Sequence, residues 1–343
     1  MCITGPLSSS PPLTPVTAAL TALTAPQLLP TQRMFTMKLR KTVAAAAVAL
    51  ALTTAATACG KSGSPDDDKA DKPGDGKSAP AVPTYKVNTA ADVKDSPVFD
   101  RIKGKTITIG TKADQPGMGY ENPTSKKRSG FDVEIARMIA ADLGFDEAHI
   151  KFKTVPSEAR ETQIAGGGVD LYVGTYTIND ERKKQIDFAG PYYVAGQDLL
   201  VKADSSIKGP DDLKGKKVCS ATGSTPLKRI KEPKYGVAEA KAQQGYQLCV
   251  QELVSGTVDA VTTDDTILKG YAAENKGALK VVGKPFSQEP YGVGLKKDDK
   301  ALREAVNNAI EAHEKSGDWK KAYDATIGLA GNPAPNPPAV DRY

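Results

Sequence analysis

Along the middle of the chain, apolar residues fall at Phe131, Ile135, Met138, Ile139 and Leu143. That i, i+4, i+7, i+8 rhythm puts them on one side of a helix and predicts a helix over 130–143 packed against a sheet. Strand-like runs lie around it at 106–111, 150–155 and 170–174, with a second helical stretch over 158–165 between the last two. Such alternation predicts an α/β architecture with mostly parallel strands. From Asp95 onward about 250 residues remain, enough for two modest domains with separate cores. A faint echo supports two lobes of similar build. Gly168-Val169-Asp170-Leu171 follows one helix, and Thr257-Val258-Asp259-Ala260 follows another that ends near Gly256. Chance remains the alternative, because helix, glycine, strand is a common succession.

In open α/β sheets a ligand sits beyond the carboxyl ends of the strands. That rule singles out four polar segments: 111–115, 174–182, 220–225 and 263–266. In the second of these, Arg182 ends a strand exit that also offers Thr175 and Thr177. A guanidinium fork suits a carboxylate, although the charged neighbours Asp180, Glu181, Lys183 and Lys184 by themselves favour a solvated helix residue. In the third, Ser220 to Pro226 links a strand to a helix and exposes main-chain N–H groups where an anion could sit; an ordinary helix cap explains the same residues. It lacks the Gly-Lys-Ser/Thr ending of a nucleotide loop. In the fourth, Asp264-Asp265 precedes a helix, so one of the pair is expected to cap it and the other is free for an ammonium group.

The N-terminal region changes the picture of where this body resides. Residues 1–58 hold no acidic residue, and their only charges are Arg33, Lys38, Arg40 and Lys41. A basic head over 37–41 followed by an Ala/Val/Leu run to Ala58 reads as a secretory leader. Ala56-Thr57-Ala58-Cys59-Gly60 resembles a lipobox, with Ala56 in place of the usual Leu, so Cys59 is the expected lipidation site; plain cleavage at the same Ala-x-Ala is the alternative. Residues 1–36 read as upstream sequence or a disordered extension. Taking those four positive charges from the formal net of +5 leaves +1, which gives nucleic acid no basic face. From Lys61 to about Thr89 the chain is poor in apolar residues and reads as a tether reaching roughly 30 Å.

Taken together, the helix signature from Gly130, the segment Thr177 to Arg182, the Ser220–Thr225 loop and the Asp264-Asp265 pair resemble the polar amino-acid-binding members of the family-3 extracellular solute-binding proteins of ABC importers. The resemblance covers about 103–327. It implies a two-lobe, type II periplasmic-binding-protein-like α/β fold with two hinge-crossing strands, near 194–199 and 286–291, and C-terminal helices over 302–316 and 319–327 returning to the first lobe. The implied partition is 59–95 lipidated Cys and linker, 96–195 plus 290–330 lobe 1, 196–289 lobe 2 and 331–343 a Pro-rich tail, either a strap or disordered. By the same resemblance Arg182, Thr177, Thr222 and Gly223 take the ligand α-carboxylate, and Asp265 with Thr175 takes the α-ammonium group. Lys112-Ala113-Asp114-Gln115-Pro116-Gly117 looks closest to the glutamate-binding branch, with Lys112, and less directly Arg160, answering the ligand's second carboxylate. The implied partners are an amino acid, a membrane permease and the lipid anchor, for a monomer without cofactor or metal.

Of the four cysteines, Cys219 and Cys249 belong to the exported body, where an oxidising compartment favours their pairing over two buried free thiols. The rival reading is a cyclohexadienyl dehydratase-like enzyme on the same scaffold. Against it, His149 and His313 stand outside the four segments and suggest no catalytic group, and no His/Cys grouping suggests zinc. A signalling receptor domain is a third reading, and no kinase or cyclase pattern accompanies it.

Overall fold

The computed structural model describes residues 81–343, which lie within one compact unit; the leader, Cys59 and most of the tether lie outside the described residues. Seven strands come before the first crossing: β1 (Ile107–Thr111), β2 (Asp114–Gln115), β3 (Gly119–Glu121), β4 (Arg128–Ser129), β5 (Ile150–Thr154), β6 (Leu171–Tyr172) and β7 (Asp187–Ala195). Then follow β8 (Gln197–Lys202), β9 (Lys217–Ala221), β10 (Glu239–Gln243), β11 (Ala260–Asp264) and β12 (Leu279–Val281), and the chain returns as β13 (Glu289–Leu295). The helices of the first part are α1 (Pro97–Ile102), α2 (Phe131–Asp142), α3 (Arg160–Ala165) and α4 (Asp180–Lys183). The second part holds α5 (Thr225–Ile230), α6 (Tyr246–Ser255) and α7 (Asp265–Glu274), and the C-terminal region α8 (Lys300–Ser316) and α9 (Asp318–Asp324).

Two five-stranded sheets result, ordered β5-β1-β6-β13-β7 and β10-β9-β11-β8-β12. They share one plan. In each, a central strand has two parallel neighbours, and a single strand runs against the rest: β13 in the first lobe and β8 in the second. The reason is geometric. The forward strands end at the cleft, so a chain arriving from the other lobe enters from the cleft side and must run backwards. Both reversed strands are the ones that follow a crossing. The predicted parallel order therefore holds for strand direction in most of each sheet, and the ladders next to the crossings are antiparallel.

The predicted helix is α2. Its N-cap is Gly130, at φ +117°, and a Cβ there would stand 2.1 Å from the Met118 carbonyl oxygen, so glycine alone fits. Phe131 opens the helix at the centre of an aromatic cluster, with ring centres 5.3 Å from Trp319 and 5.9 Å from both Tyr193 and Tyr323, mostly edge to face. That cluster binds the C-terminal helices onto the first lobe. The second lobe has its own core around Leu200, Leu253, Val261 and Leu268. Within it Cys219 of β9 and Cys249 of α6 form a disulfide across a separation of 30 residues, for which chain entropy gives roughly 3–4 kcal/mol.

The Pro-rich tail is a strap. Asp341 N–H donates to Gly190 O at 2.8 Å and Phe188 N–H donates to the Tyr343 hydroxyl at 2.9 Å, both on the edge strand β7. Arg303 lies 4.3 Å from the Tyr343 ring centre. An otherwise open sheet edge is thereby covered.

Candidate functional site

The carboxyl ends of β1, β6, β9 and β11 meet between the lobes, as the four polar segments predict. The lobes touch there. Arg182 Nη2 and Arg160 Nη2 of the first lobe both donate to Gly223 O of the second, at 3.1 and 3.2 Å. Thr177 and Thr225 hydroxyls approach to 3.3 Å across the same seam, and at the rim Lys228 Nζ reaches both Glu181 oxygens at 2.7 Å.

The first lobe's side of the cleft is cationic. Arg182 is buried; its Nη1 donates to Thr177 O at 2.7 Å and its Nε to Glu161 at 3.1 Å. Arg160, also buried, lies over the Tyr176 ring at 4.2 Å, and Arg182 approaches the same ring at 4.8 Å. An aromatic quadrupole within reach of both guanidinium groups attracts each of them and offsets part of their repulsion. Lys112 is buried with its Nζ on the Ser157 hydroxyl at 2.7 Å. Burial, reinforced by Arg160, pushes its ammonium down to about 7, and the same two causes bring Arg182 down to about 10. Among the described residues, only Arg182 of the three cations has an ion-pair partner, Glu161; Lys112 and Arg160 meet a hydroxyl and main-chain carbonyls. A buried excess of positive charge is tolerable when an anion joins it.

The loop after β6 is held by a residue of α2 that the apolar pattern passes over. Asp132 in α2 accepts from Thr175 N–H at 3.0 Å and from the Tyr192 hydroxyl at 2.7 Å. Thr175 sits at φ +45°, a conformation that non-glycine residues rarely adopt. Asp132 fixes it, and burial raises the Asp132 carboxyl to about 7. Thr175 Oγ1 in turn donates to Gln115 Oε1 at 3.1 Å.

The anionic group of the second lobe is Asp264, at the very end of β11. Its Oδ2 accepts from the Tyr291 hydroxyl at 2.7 Å, while its Oδ1 is buried with no hydrogen-bond partner among the described residues. Burial first, then the neighbouring Glu289, lift its carboxyl to about 7. Thr111 Oγ1, Gln115 Nε2, Tyr176 Oη and Thr263 Oγ1 share this state. Native proteins seldom leave buried polar atoms unpaired; Thr111 ends β1, Gln115 lies in β2, Tyr176 in the loop after β6, and Thr263 and Asp264 at the end of β11.

Several expected site residues stand differently. Asp265 does not point a free carboxylate into the cleft; its Oδ1 accepts from Gly196 N–H at 3.2 Å and its Oδ2 pairs with Lys269 Nζ at 2.5 Å. Neither Asp caps α7 by a side-chain hydrogen bond. The Thr222 N–H donates to Gln243 O at 2.8 Å, inside the second sheet, and Gly223 offers the two arginines its carbonyl. Arg182, Arg160, Thr177 and Gly223 are brought together, with Lys112 beside Arg160 at the Ser157 turn. Gln115, Tyr176 and Asp264 lay inside the polar segments without being assigned these roles, and Asp132 lay in the helical stretch with none. For Asp264 a signal existed: Asp265 and Lys269 have helical i, i+4 spacing, which leaves Asp264 as the strand-end residue. The histidines lie apart from this set, His149 on Asp146 and His313 between Asp142 and Asp318. Among the described residues no cluster is arranged to hold a metal, and no helix is long and apolar enough to cross a membrane.

Comparison with known proteins agrees with this geometry. The sequence profile of the bacterial extracellular solute-binding proteins, family 3, matches residues 107–328. The chain is 40% identical over 238 residues to the glutamate-binding protein GluB of Corynebacterium efficiens, covering 66% of this chain and 80% of that one. It is 38% identical over 255 residues to the ABC transporter glutamine-binding protein GlnH of Bacillus subtilis, covering 74% and 89%. Among solved structures, an ancestral arginine-binding protein bound to glutamine superposes with a TM-score of 0.61 at 38% identity, over 65% of this chain and 98% of that one. These relatives are solute-binding proteins of transport systems, so the dehydratase-like alternative gives way. With both lobes, the crossings and the strand-end cleft inside the matched region, the chain belongs to the bacterial extracellular solute-binding proteins, family 3.

Proposed function

We propose that this protein captures L-glutamate in the cleft between its lobes and hands it to an ABC permease, held at the membrane by lipid on Cys59. The observation that carries the ligand is the charge of the first lobe's wall. Lys112, Arg160 and Arg182 lie buried together; Glu161 pairs with Arg182 alone, Asp114 and Asp132 reach Lys112 only as neighbouring charges, and a dicarboxylate neutralises the excess. Arg182 takes the α-carboxylate with Thr177 beside it, since its fork suits two parallel hydrogen bonds. Lys112 and Arg160 take the side-chain carboxylate. The ammonium group goes to Asp264 Oδ1, the buried unpaired oxygen, in preference to Asp265, whose oxygens are engaged. Similarity to a glutamate-binding protein supports this reading.

Glutamine is the second reading, favoured by two observations. The Lys112 ammonium titrates at about 7 and can face an amide when neutral, and the chain is similar to a glutamine-binding protein. Calorimetric titration of the purified protein with glutamate, glutamine, aspartate and asparagine separates the two. Glutamate should bind tightest, and a preference for glutamine would overturn the assignment. Metabolic labelling with a fatty acid, lost in Cys59→Ala, tests the anchor.

A further inference from the structure

We propose that ligand affinity is set in part away from the ligand, by Asp114 of the first lobe latching onto α6 and by Gly245 and Gly270, which let the second lobe approach closely enough. Helix α6 starts directly after Gly245, and no side chain of its own lobe caps it. Its first N–H, on Tyr246, donates instead to Asp114 Oδ2 of the opposite lobe at 2.9 Å. A carboxylate at a helix N-terminus is a charge-assisted cap, and this one forms only when the lobes meet.

Gly245 has ordinary extended backbone, φ −142° and ψ 161°, so its conformation does not require glycine. Space does. A Cβ there would lie 2.7 Å from the same Asp114 oxygen. Gly270 makes the point more strongly, because it stands inside the ten-residue helix α7, where glycine is less stable than alanine. A Cβ on it would lie 2.2 Å from the Pro116 carbonyl oxygen. The adjacent Tyr271 hydroxyl donates to the Asp114 carbonyl. Strand β2 and Pro116 are therefore gripped between two helices of the other lobe, and the grip depends on missing side chains. With the lobes apart, water solvates Asp114 and the α6 N-terminus equally well. Substitutions here act on the closed form and spare the open one.

The inference rests on the reading that the cleft binds an amino acid. Its test uses whichever of L-glutamate and L-glutamine the wild type binds more tightly. Gly270→Ala should leave the ligand-free melting temperature unchanged or slightly higher and weaken binding by about tenfold or more, the scale of a clash that a packed seam cannot absorb. Asp114→Ala should weaken binding by about fivefold, the usual scale of a lost cap. Gly245→Ala should weaken binding in the wild type but by less than about twofold in the Asp114→Ala background, because the oxygen it meets is gone. A Gly270→Ala protein that binds as the wild type does, or melts lower without ligand, overturns the proposal. So does an equal cost of Gly245→Ala in both backgrounds. A wild type that binds neither amino acid defeats the ligand reading alone. Small-angle scattering then decides on closure, with whichever other proteinogenic amino acid contracts the wild type: Gly270→Ala must contract less with the same ligand, and equal contraction would defeat the proposal.

Discussion

The two lobes are built on one strand plan and do different work. The first presents side-chain charge to the cleft: Arg182, Arg160 and Lys112, with Asp132 bracing the loop behind them. The second presents one carboxylate, Asp264, and otherwise main chain, through Gly223 O, the α6 N-terminus and the bare flank of α7 at Gly270. On the proposed function, the first lobe recognises the ligand and the second closes over it. Identical topology carries both because the strand ends decide only where a loop emerges, whereas the residues on the loop decide what it does.

This contrast breaks first at Arg182. Arg182→Ala should reduce affinity for glutamate by more than about a hundredfold, since a buried charge pair loses one member. The ligand-free melting temperature should hardly move, because the cationic wall loses a repulsion as well as the Glu161 contact. Wild-type affinity in calorimetry would break the contrast outright.

Next in size, the two neighbouring aspartates should behave unlike each other. Asp264→Asn is expected to weaken binding by roughly tenfold to a hundredfold, as removal of a charged hydrogen-bond partner does. Asp265→Asn, whose carboxylate serves Gly196 and Lys269, should stay within about threefold. The reverse order would return the ammonium group to Asp265.

The pH dependence sharpens the comparison because the two groups proposed to meet the ligand, Lys112 of the first lobe and Asp264 of the second, are both shifted to about 7, as is Asp132 behind the first lobe's loop. Lys112 must be protonated to hold a carboxylate, so affinity falls as pH rises above 7. Asp264 must be ionised to hold an ammonium group, so affinity falls as pH drops below 7. Glutamate affinity should peak near neutrality, and each limb should flatten in Lys112→Met and Asp264→Asn respectively. Without ligand the signs reverse. The Asp264 carboxyl is raised in the fold, so its stabilising effect is complete below the usual carboxylate range and is lost as pH rises through 7. Lys112 is lowered, so the fold gains stability as pH rises from about 7 toward the usual lysine value. Melting curves over pH 5 to 10 check both limbs.

The smallest effect belongs to the rim. Lys228 and Glu181 form an ion pair with both side chains largely exposed. Lys228→Ala should change affinity by less than about twofold, and even that should vanish in added salt.

How much of this was legible beforehand follows the range of the signal. Helical periodicity gave α2 and its buried face, because period 3.6 is written in neighbouring residues. The strand-end rule found all four loops of the cleft. Asp132 lies in the predicted helix but drew no role there; its partners, Thr175 and Tyr192, are 43 and 60 residues away, beyond any local pattern. The residues left the choice between Asp264 and Asp265 open, and the resemblance alone named Asp265; Asp264 ends β11 whereas Asp265 opens α7, a boundary that no local pattern places to the residue.

By itself, then, the amino-acid sequence determined the α/β alternation, the core helix from Phe131, the pairing of Cys219 with Cys249 in an exported body and the candidacy of Arg182. Tertiary structure alone decided which strand of each sheet runs backwards, which aspartate keeps an unpaired oxygen, that the tail straps β7, and that Gly245 and Gly270 face the other lobe. The first group depends on periodicity, local chemistry and compartment, which a chain carries wherever it goes. The second depends on which distant atoms come within 3 Å of one another, and that exists only after the two lobes have folded and met.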